Sequence, residues 1–280
     1  MSPQAIQALK NKCIAFIGAG SMAEALIRGL LKAGATEPAS IIATGRRQER
    51  LDNLHSNYGV EVSLDNAEAA AKADVVVLSV KPQIIERILL EITSSISDKS
   101  LVISIAAGTS ISEIASALPK EARVWRAMPN LPAVVDAGAA AIAAGDHSTV
   151  EDERQVRAIF EAVGEVTQVD EALMDAVTGL SGSGPAYVFM IIEALSDAGV
   201  KVGLSRRQSQ ILAAQTVLGS AKLLIETGEH PGVLKDRVTS PGGTAIVGLH
   251  TLEEGGLRTT LINAVVAATQ RCKELAKKNE

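Results

Sequence analysis

Residues 13–23 read CIAFIGAGSMA, and this stretch decides the fold of the first half of the chain. A short apolar run, Cys13–Ile17, ends at a glycine, and apolar residues recur at helical spacing from Ser21 onward. The pattern between them is G-x-G-x-x-A. The first glycine makes a tight turn, the second lets backbone approach a pyrophosphate, and the small third residue packs helix on strand. We therefore predict a dinucleotide site where a strand meets a helix.

Strand and helix patterns alternate after this stretch. The further strand candidates are Ser40–Thr44, Val60–Val62, Asp74–Val80, Leu101–Ile105, Val124–Ala127, Gly138–Ala143 and Val166–Val169. Short apolar strands that alternate with helices are typical of a parallel sheet covered on both faces. Beyond residue 170 only helical patterns remain, at Ala172–Gly199, Arg206–Thr227, Thr244–Glu254 and Leu257–Lys278. We predict an α/β fold, with a doubly wound Rossmann domain over residues 1–170 and an all-helical domain over residues 171–280.

The composition excludes several classes of protein. The chain has 280 residues, a net charge of −5, 47% hydrophobic residues and 2% aromatic residues. A disordered chain would be less hydrophobic, and a general nucleic-acid binder would be basic and richer in aromatic residues. Two cysteines far apart form neither a disulfide framework nor a zinc motif. Because we find no signal peptide and no apolar run of about 18–20 residues, we expect a cytoplasmic protein without nucleic-acid or membrane partners.

The end of the second predicted strand bears on the choice of cofactor. NAD sites usually place Asp or Glu there, on the ribose 2′-hydroxyl. This chain instead has Thr44-Gly45-Arg46-Arg47, with Arg50 one turn later. Two guanidinium groups could hold a 2′-phosphate through charge-assisted bonds. We predict NADPH, with NADH as an alternative; the other interpretation of these arginines is a solvated charge run.

Two further strand ends are expected to line the same crevice. They are Ser79-Val80-Lys81-Pro82 and Ala106-Ala107-Gly108. In open α/β sheets the ligand lies at the carboxyl ends of the strands. We expect Lys81 to lie beside the cofactor rather than to act as a base, since Pro82 starts a helix.

The helical half contains two glycine-rich segments. Residues 178–187 (TGLSGSGPAY) predict either a helix kink or crossing, or a close approach of other backbone. Residues 238–245 (VTSPGGTA) offer N–H groups and the hydroxyls of Ser240 and Thr244, which suit a small carboxylate. The four histidines belong to no catalytic motif. Hydride transfer to an already protonated imine needs little acid–base help and fits such a chain.

Nearly the whole chain, from about Ile14 to Glu274, resembles the pyrroline-5-carboxylate reductases. The matching stretches are FIGAGSMAEALIRGL at 16–30, SVKPQ at 79–83, AAG at 106–108, AMPNLPA at 127–133, GLSGSGPAYVF at 179–189 and VTSPGGTA at 238–245. The resemblance implies reduction of L-1-pyrroline-5-carboxylate to L-proline by NAD(P)H, the last step of proline biosynthesis. It also implies a homodimer formed by interlocking helices, with decamers of five dimers in many members.

The resemblance further implies a set of site residues. The cofactor contacts would be Ile17, Gly18, Ala19, Gly20, Ser21, Met22, Gly45, Arg46, Arg47, Asn66, Ser79, Val80, Lys81, Pro82, Ala106, Ala107, Gly108 and Arg237. The substrate contacts would be Glu171, Ser240, Gly242, Gly243, Thr244 and Ala245. Three of these, Glu171, Ser240 and Thr244, are the catalytic candidates.

Two positions depart from the family pattern. Members usually have Thr where Ala245 stands, and Thr is commoner than Leu at position 131. We expect turnover to survive without the first hydroxyl because the iminium substrate carries its own proton.

Two other functions stay open. A β-hydroxyacid dehydrogenase-like NADP oxidoreductase would carry a catalytic lysine in the first long helix, and residues 179–198 contain none. A non-enzymatic NADPH-binding protein would use residues 240–244 only as a helix junction.

Overall fold

The computed structural model describes residues 3–276, which form two compact units. One unit consists of residues 3–183 and 267–276, and the other of residues 184–266. This division differs from the boundary predicted at residue 170. Met174 is 1% exposed in the core of the first unit, and Cys272 bonds to Asp175 there. Segment 171–183 and the end of the last helix therefore belong to the unit that carries the sheet.

Within residues 3–183 the first unit alternates strands and helices. Its elements are α1 (Pro3–Ala8), β1 (Ile14–Ile17), α2 (Ser21–Lys32), β2 (Ile41–Thr44), α3 (Gln48–Tyr58), β3 (Glu61–Ser63), α4 (Asn66–Lys72), β4 (Val75–Leu78), α5 (Ile85–Ile92), β5 (Leu101–Ser104), α6 (Ile111–Ser116), β6 (Arg123–Met128), β7 (Gly138–Ala144), α7 (Val150–Glu161), β8 (Gly164–Gln168) and α8 (Met174–Val177). All predicted strands form, with ends shifted by one or two residues. Helices α1, α4 and α7 were not predicted.

The strands make one sheet in the order β3-β2-β1-β4-β5-β6-β7-β8. Strands β1 to β6 run parallel to their neighbours, which is the doubly wound arrangement expected from the sequence. Strand β7 is antiparallel to β6, and β8 is parallel to β7. The predicted parallel sheet is therefore confirmed for β1 to β6, and the reversed direction of β7 was not predicted. Residues 129–137 are too few for the helical crossover that a parallel partner would need.

Both faces of the sheet are buried, because neighbouring residues of a strand point to opposite sides. In β1, Ile14 and Phe16 pack on one side with residues of α2, α3 and α7. Ala15 and Ile17 pack on the other side with residues of α4, α5 and α6. This two-sided core explains why the strands read as continuous apolar runs.

The second unit consists of helices α9 (Gly184–Lys201), α10 (Arg206–Thr227), α11 (Pro231–Arg237) and α12 (Thr244–Glu254), and α13 (Leu257–Ala276) begins in it. The single helix predicted over 172–199 is interrupted by a π-helical turn at Thr178–Gly182, within the glycine-rich segment. The predicted end of α13 at Lys278 lies outside the described residues. No helix in residues 3–276 is long and apolar enough to cross a bilayer.

Helices α9 and α10 pack against each other through small residues. Ser209 Oγ donates to the Ser196 carbonyl at 2.6 Å, and a Cβ on Gly199 would lie 2.0 Å from Ser209 Oγ. Much of the remaining surface of these helices is exposed, and many large apolar side chains lie on it. Phe189 is 58% exposed, Ile225 is 73% exposed, and α12 buries no residue. As described, the unit has apolar faces but almost no core of its own.

The buried Asp152 carboxylate yields a prediction about stability. It is fully buried, accepts bonds from Thr149 at the start of α7, and pairs with Arg123 at 2.5 Å. Asp152→Ala removes the side-chain half of the capping box, which accepts from Thr149, and leaves Arg123 without this partner. We expect it to lower the free energy of unfolding by about 3 kcal/mol.

Urea unfolding at fixed protein concentration, followed by the fluorescence of buried Trp125, measures this loss. Glu153→Ala is the matched control because Glu153 lies on the same helix and forms only a half-exposed pair with Arg157, and we expect a change under about 0.5 kcal/mol. Equal losses for the two variants would contradict the assignment.

Candidate cofactor and substrate sites

The turn between β1 and α2 is built around Gly18. Its φ is +106°, and an added Cβ would lie 2.7 Å from the Ser79 carbonyl oxygen. The N–H groups of Gly18 and Ala19 donate to the Thr44 carbonyl at 3.2 and 2.6 Å, and Ser79 Oγ donates to the Gly18 carbonyl at 2.8 Å. The turn is thus tied to the carboxyl ends of β2 and β4, and only glycine fits at its tightest point.

The start of α2 presents the donors that a pyrophosphate needs. A Cβ on Gly20 would meet nothing within 4 Å, so the backbone there is open to a ligand. Within residues 3–276 the N–H groups of Ser21 and Met22 have no partner, since the first helical bond is made by Glu24 N–H. Free N–H groups and the helix dipole together favour an anion. These residues fit a dinucleotide cofactor.

Arg46 and Arg47 follow β2, and both are exposed. Their guanidinium groups make no hydrogen bond or ion pair to any described residue. Gly45 packs close to Ala19, with a virtual Cβ 3.3 Å from the Ala19 Cβ. Asn66, at the start of α4, accepts from the buried Thr44 hydroxyl at 2.6 Å. No carboxylate stands among residues 44–47 at the end of β2, which leaves two free cations there.

The other predicted strand ends lie on the same edge of the sheet. β4 pairs with β1, and β5 pairs with β4, all in parallel, so their carboxyl ends are adjacent. Lys81 is exposed and forms no ion pair with a described residue, and Pro82 starts a 3-10 turn as expected. Ala106–Gly108 follow β5. The fold therefore brings together the predicted cofactor residues from Ile17 to Gly108.

Glu171 lies in the first unit beside a buried arginine. Its Oε1 accepts the Ile111 N–H at 2.6 Å and lies 3.5 Å from the Arg126 guanidinium. Arg126, with a side chain 8% exposed, also lies 3.9 Å from Asp175. These groups line a cavity of about 350 Å³ together with Gly108, Ser110, Glu113, Ala172 and Ala276.

Sequence reasoning missed Arg126 and Asp175 in this cavity. The signal for Arg126 was an arginine inside the apolar strand RVWRAM. Nearby, burial and the hydrogen bond to Asp175 raise the pKa of the Cys272 thiol, which donates to Asp175 at 3.2 Å. The Glu171 carboxylate is not free, because it accepts the Ile111 N–H and lies beside Arg126 in this charged cluster.

The predicted carboxylate loop lies in the second unit, between α11 and α12. Gly242 has a φ of +67°, and Gly243 caps α12 without a side-chain bond. A Cβ on Gly243 would lie 2.3 Å from Ser240 Oγ. The hydroxyls of Ser240 and Thr244 have no partner within residues 3–276. The Gly243 N–H donates to the Ser240 carbonyl at 3.0 Å, whereas the N–H groups of Gly242 and Thr244 have no partner among the described residues. The loop therefore offers N–H and O–H donors together, while Ala245 contributes no side-chain donor.

Arg237 differs from the other predicted cofactor residues. It lies at the end of α11 in the second unit, where it donates to Glu229 Oε1 at 2.8 Å. The other oxygen of Glu229 is buried and has no hydrogen-bond partner among the described residues. Sequence reasoning missed Glu229, whose only signal was its place beside the His230-Pro231-Gly232 turn. The contact of Arg237 with cofactor stays a prediction.

Comparisons with known proteins match both halves of the chain. Residues 171–275 match the family model for pyrroline-5-carboxylate reductase dimerisation, and residues 13–108 match that for NADP oxidoreductase, coenzyme F420-dependent. A solved pyrroline-5-carboxylate reductase from Coxiella burnetii has a TM-score of 0.90 at 40% identity, over 95% of this chain and 99% of that one. The Plasmodium falciparum pyrroline carboxylate reductase, solved with NADP bound, has a TM-score of 0.85 at 33% identity, with the same coverage of each chain.

Curated relatives match along almost the entire length. The pyrroline-5-carboxylate reductase of Methanosarcina acetivorans is 49% identical over 96% of this chain and 100% of its own. That of Escherichia coli is 43% identical over 95% of this chain and 99% of its own. On these identities and coverages, the chain belongs to the pyrroline-5-carboxylate reductase family.

Proposed function

We propose that this chain reduces L-1-pyrroline-5-carboxylate to L-proline, the last step of proline biosynthesis, with NADPH as its preferred cofactor. The observation that carries the proposal is the glycine turn, which presents the free N–H groups of Ser21 and Met22 next to the unpaired Arg46 and Arg47. Relatives that are pyrroline-5-carboxylate reductases, matched over nearly their full length, support this choice of substrate. The relative solved with NADP supports the cofactor. The dehydrogenase alternative is not favoured, because residues 179–198 contain no lysine.

Different residues bind the different parts of the cofactor and the substrate. Ser21 and Met22 hold the pyrophosphate, and Arg46 and Arg47 hold the 2′-phosphate. When bound, the cofactor supplies a hydride to the imine carbon of the substrate. The loop of residues 240–244 holds the substrate carboxylate through backbone N–H groups and hydroxyls. Because the imine nitrogen already carries a proton, the chain needs mainly to orient the reactants.

The roles of Glu171, Ser240 and Thr244 in catalysis stay proposals of the same kind. Ser240 and Thr244 have free hydroxyls suited to a carboxylate or an imine nitrogen. For Glu171 we propose a substrate contact; its carboxylate is held by the Ile111 N–H and lies 3.5 Å from Arg126. The decamer and the cytoplasmic location remain predictions.

We also propose that the chain works as a homodimer through its helical unit. The exposed apolar side chains of α9, α10, α12 and α13 include Phe189, Met190, Ile225, Val247 and Ile262. Such a surface exceeds what a monomer usually leaves in water. A second copy would cover it across a two-fold axis.

The first prediction concerns the choice of cofactor. Replacing both Arg46 and Arg47 with Ala removes the two cations proposed for the 2′-phosphate. We expect the KM for NADPH to rise about 100-fold, while the KM for NADH stays within about twofold. Initial rates at saturating substrate measure both constants. An equal rise for the two cofactors would contradict the assignment.

The second prediction concerns Ala245. We expect the unaltered protein to turn over, and Ala245→Thr to change kcat by less than about threefold, since the iminium substrate needs no donor. Oxidation of NADPH with pyrroline-5-carboxylate present, and proline as product, measures this. Background activity that Ala245→Thr restores would show that a hydroxyl at this position is required.

The third prediction concerns assembly. Phe189→Glu places a charge on the exposed face of α9, and we expect it to turn a dimer into a monomer in light scattering after size exclusion. Leu90→Glu is the matched control, because Leu90 is an apolar residue of the first unit that is 72% exposed. If both variants keep the mass of the unaltered protein, the proposed interface is wrong.

A further inference from the structure

Three arginines follow β2, but Arg50 is used differently from Arg46 and Arg47. It projects from α3, and its side chain is only 26% exposed. Its Nε donates to the Ala19 carbonyl at 3.1 Å, and a terminal nitrogen donates to the Gly20 carbonyl at 3.5 Å. The same nitrogen pairs with Glu24 in the first turn of α2. One guanidinium thus bonds to three acceptors around the phosphate turn.

A second bond strengthens the attachment. Tyr58, the last residue of α3, donates its hydroxyl to the other Glu24 oxygen at 3.0 Å. Glu24 therefore accepts from Arg50 and from Tyr58 at once. Helix α3 is joined to the start of α2 at two points, one at each end of α3.

One of the carbonyls that Arg50 binds, that of Gly20, shares its peptide group with a proposed phosphate donor, the Ser21 N–H. The Gly20 carbonyl and the Ser21 N–H lie in one planar trans peptide and point in opposite directions. The Gly20 carbonyl accepts the Glu24 N–H of α2 at 3.0 Å, and Arg50 adds a second, longer bond that helps to hold this peptide with its Ser21 N–H on the opposite side. Arg50 also pairs with the Glu24 carboxylate, whose charge would otherwise oppose an anion at the start of α2.

We propose that Arg50 is a positioning residue, which orients the donors of the glycine turn toward the cofactor pyrophosphate without touching the cofactor. The inference rests on the proposed function, because it takes the turn to bind a nicotinamide dinucleotide. Both NADPH and NADH carry the pyrophosphate, and only NADPH carries the 2′-phosphate. A positioning role therefore affects the two cofactors equally, whereas a 2′-phosphate ligand affects NADPH alone.

The test is direct binding of NADPH and of NADH, measured by the change in nicotinamide fluorescence, to the full-length protein. Arg50→Met is expected to raise both dissociation constants by the same factor, about tenfold. With saturating cofactor, kcat stays within about twofold. Arg50→Lys keeps the charge but lacks the forked donors, so we expect an intermediate and equally shared loss.

Arg157→Met is the matched control. Arg157 also bonds from a helix to a backbone carbonyl, that of Val166 at 3.1 Å, and to a glutamate, Glu153 at 3.3 Å. It lies on α7, away from the turn, and we expect its loss to leave both dissociation constants within about twofold. A general loss of stability would affect this variant as well.

Two results would overturn the inference while the proposed function stands. Weaker binding of NADPH alone in Arg50→Met would make Arg50 a 2′-phosphate ligand. Unchanged binding of both cofactors in Arg50→Met and Arg50→Lys would show that the contacts position nothing. If the unaltered protein binds neither cofactor, the proposed function fails first and the inference fails with it.

Discussion

The close approach of Gly18 to Ser79 is the constraint on which the cofactor side of the molecule depends. The two residues follow adjacent parallel strands, and a Cβ on Gly18 would lie 2.7 Å from the Ser79 carbonyl oxygen. With glycine there, the turn can use its own N–H groups on the Thr44 carbonyl. The N–H groups of Ser21 and Met22 are then the ones left for a ligand. The absence of a side chain at Gly18 thus allows β1, β2 and β4 to keep their register while the Ser21 and Met22 N–H groups stay available to a ligand.

Residues with the same charge have different roles beside this turn. Arg46 and Arg47 extend into solvent, while Arg50 is held by two carbonyls and Glu24. The difference follows from position, because Arg50 lies in the first turn of α3 and faces α2. The structure thereby separates a group suited to binding phosphate from one suited to shaping the turn.

The helical unit is limited by a different feature, since few of its side chains are buried. Its longest helices are apolar on several sides, yet α9 and α10 bury only small residues, Ser196, Ser209 and Ala213. Most of the free energy that stabilises such helices comes from tertiary packing. The family model that matches residues 171–275 is one of dimerisation, and self-association would cover these faces. The loop of residues 240–245 is carried by this same unit.

The sequence by itself determined the strands, the glycine turn and the candidate loop, because each depends on local rules. Apolar runs predict buried parallel strands, and Gly18 and Gly242 stand where the backbone has a positive φ. It did not determine the antiparallel β7, the helices α1, α4 and α7, or the unit to which residues 171–183 belong. Nor could it show that Arg126 meets Glu171, or that Arg50 meets Ala19 and Glu24. Those contacts join residues far apart in the chain, and only the packing of the sheet and its helices brings them within bonding distance.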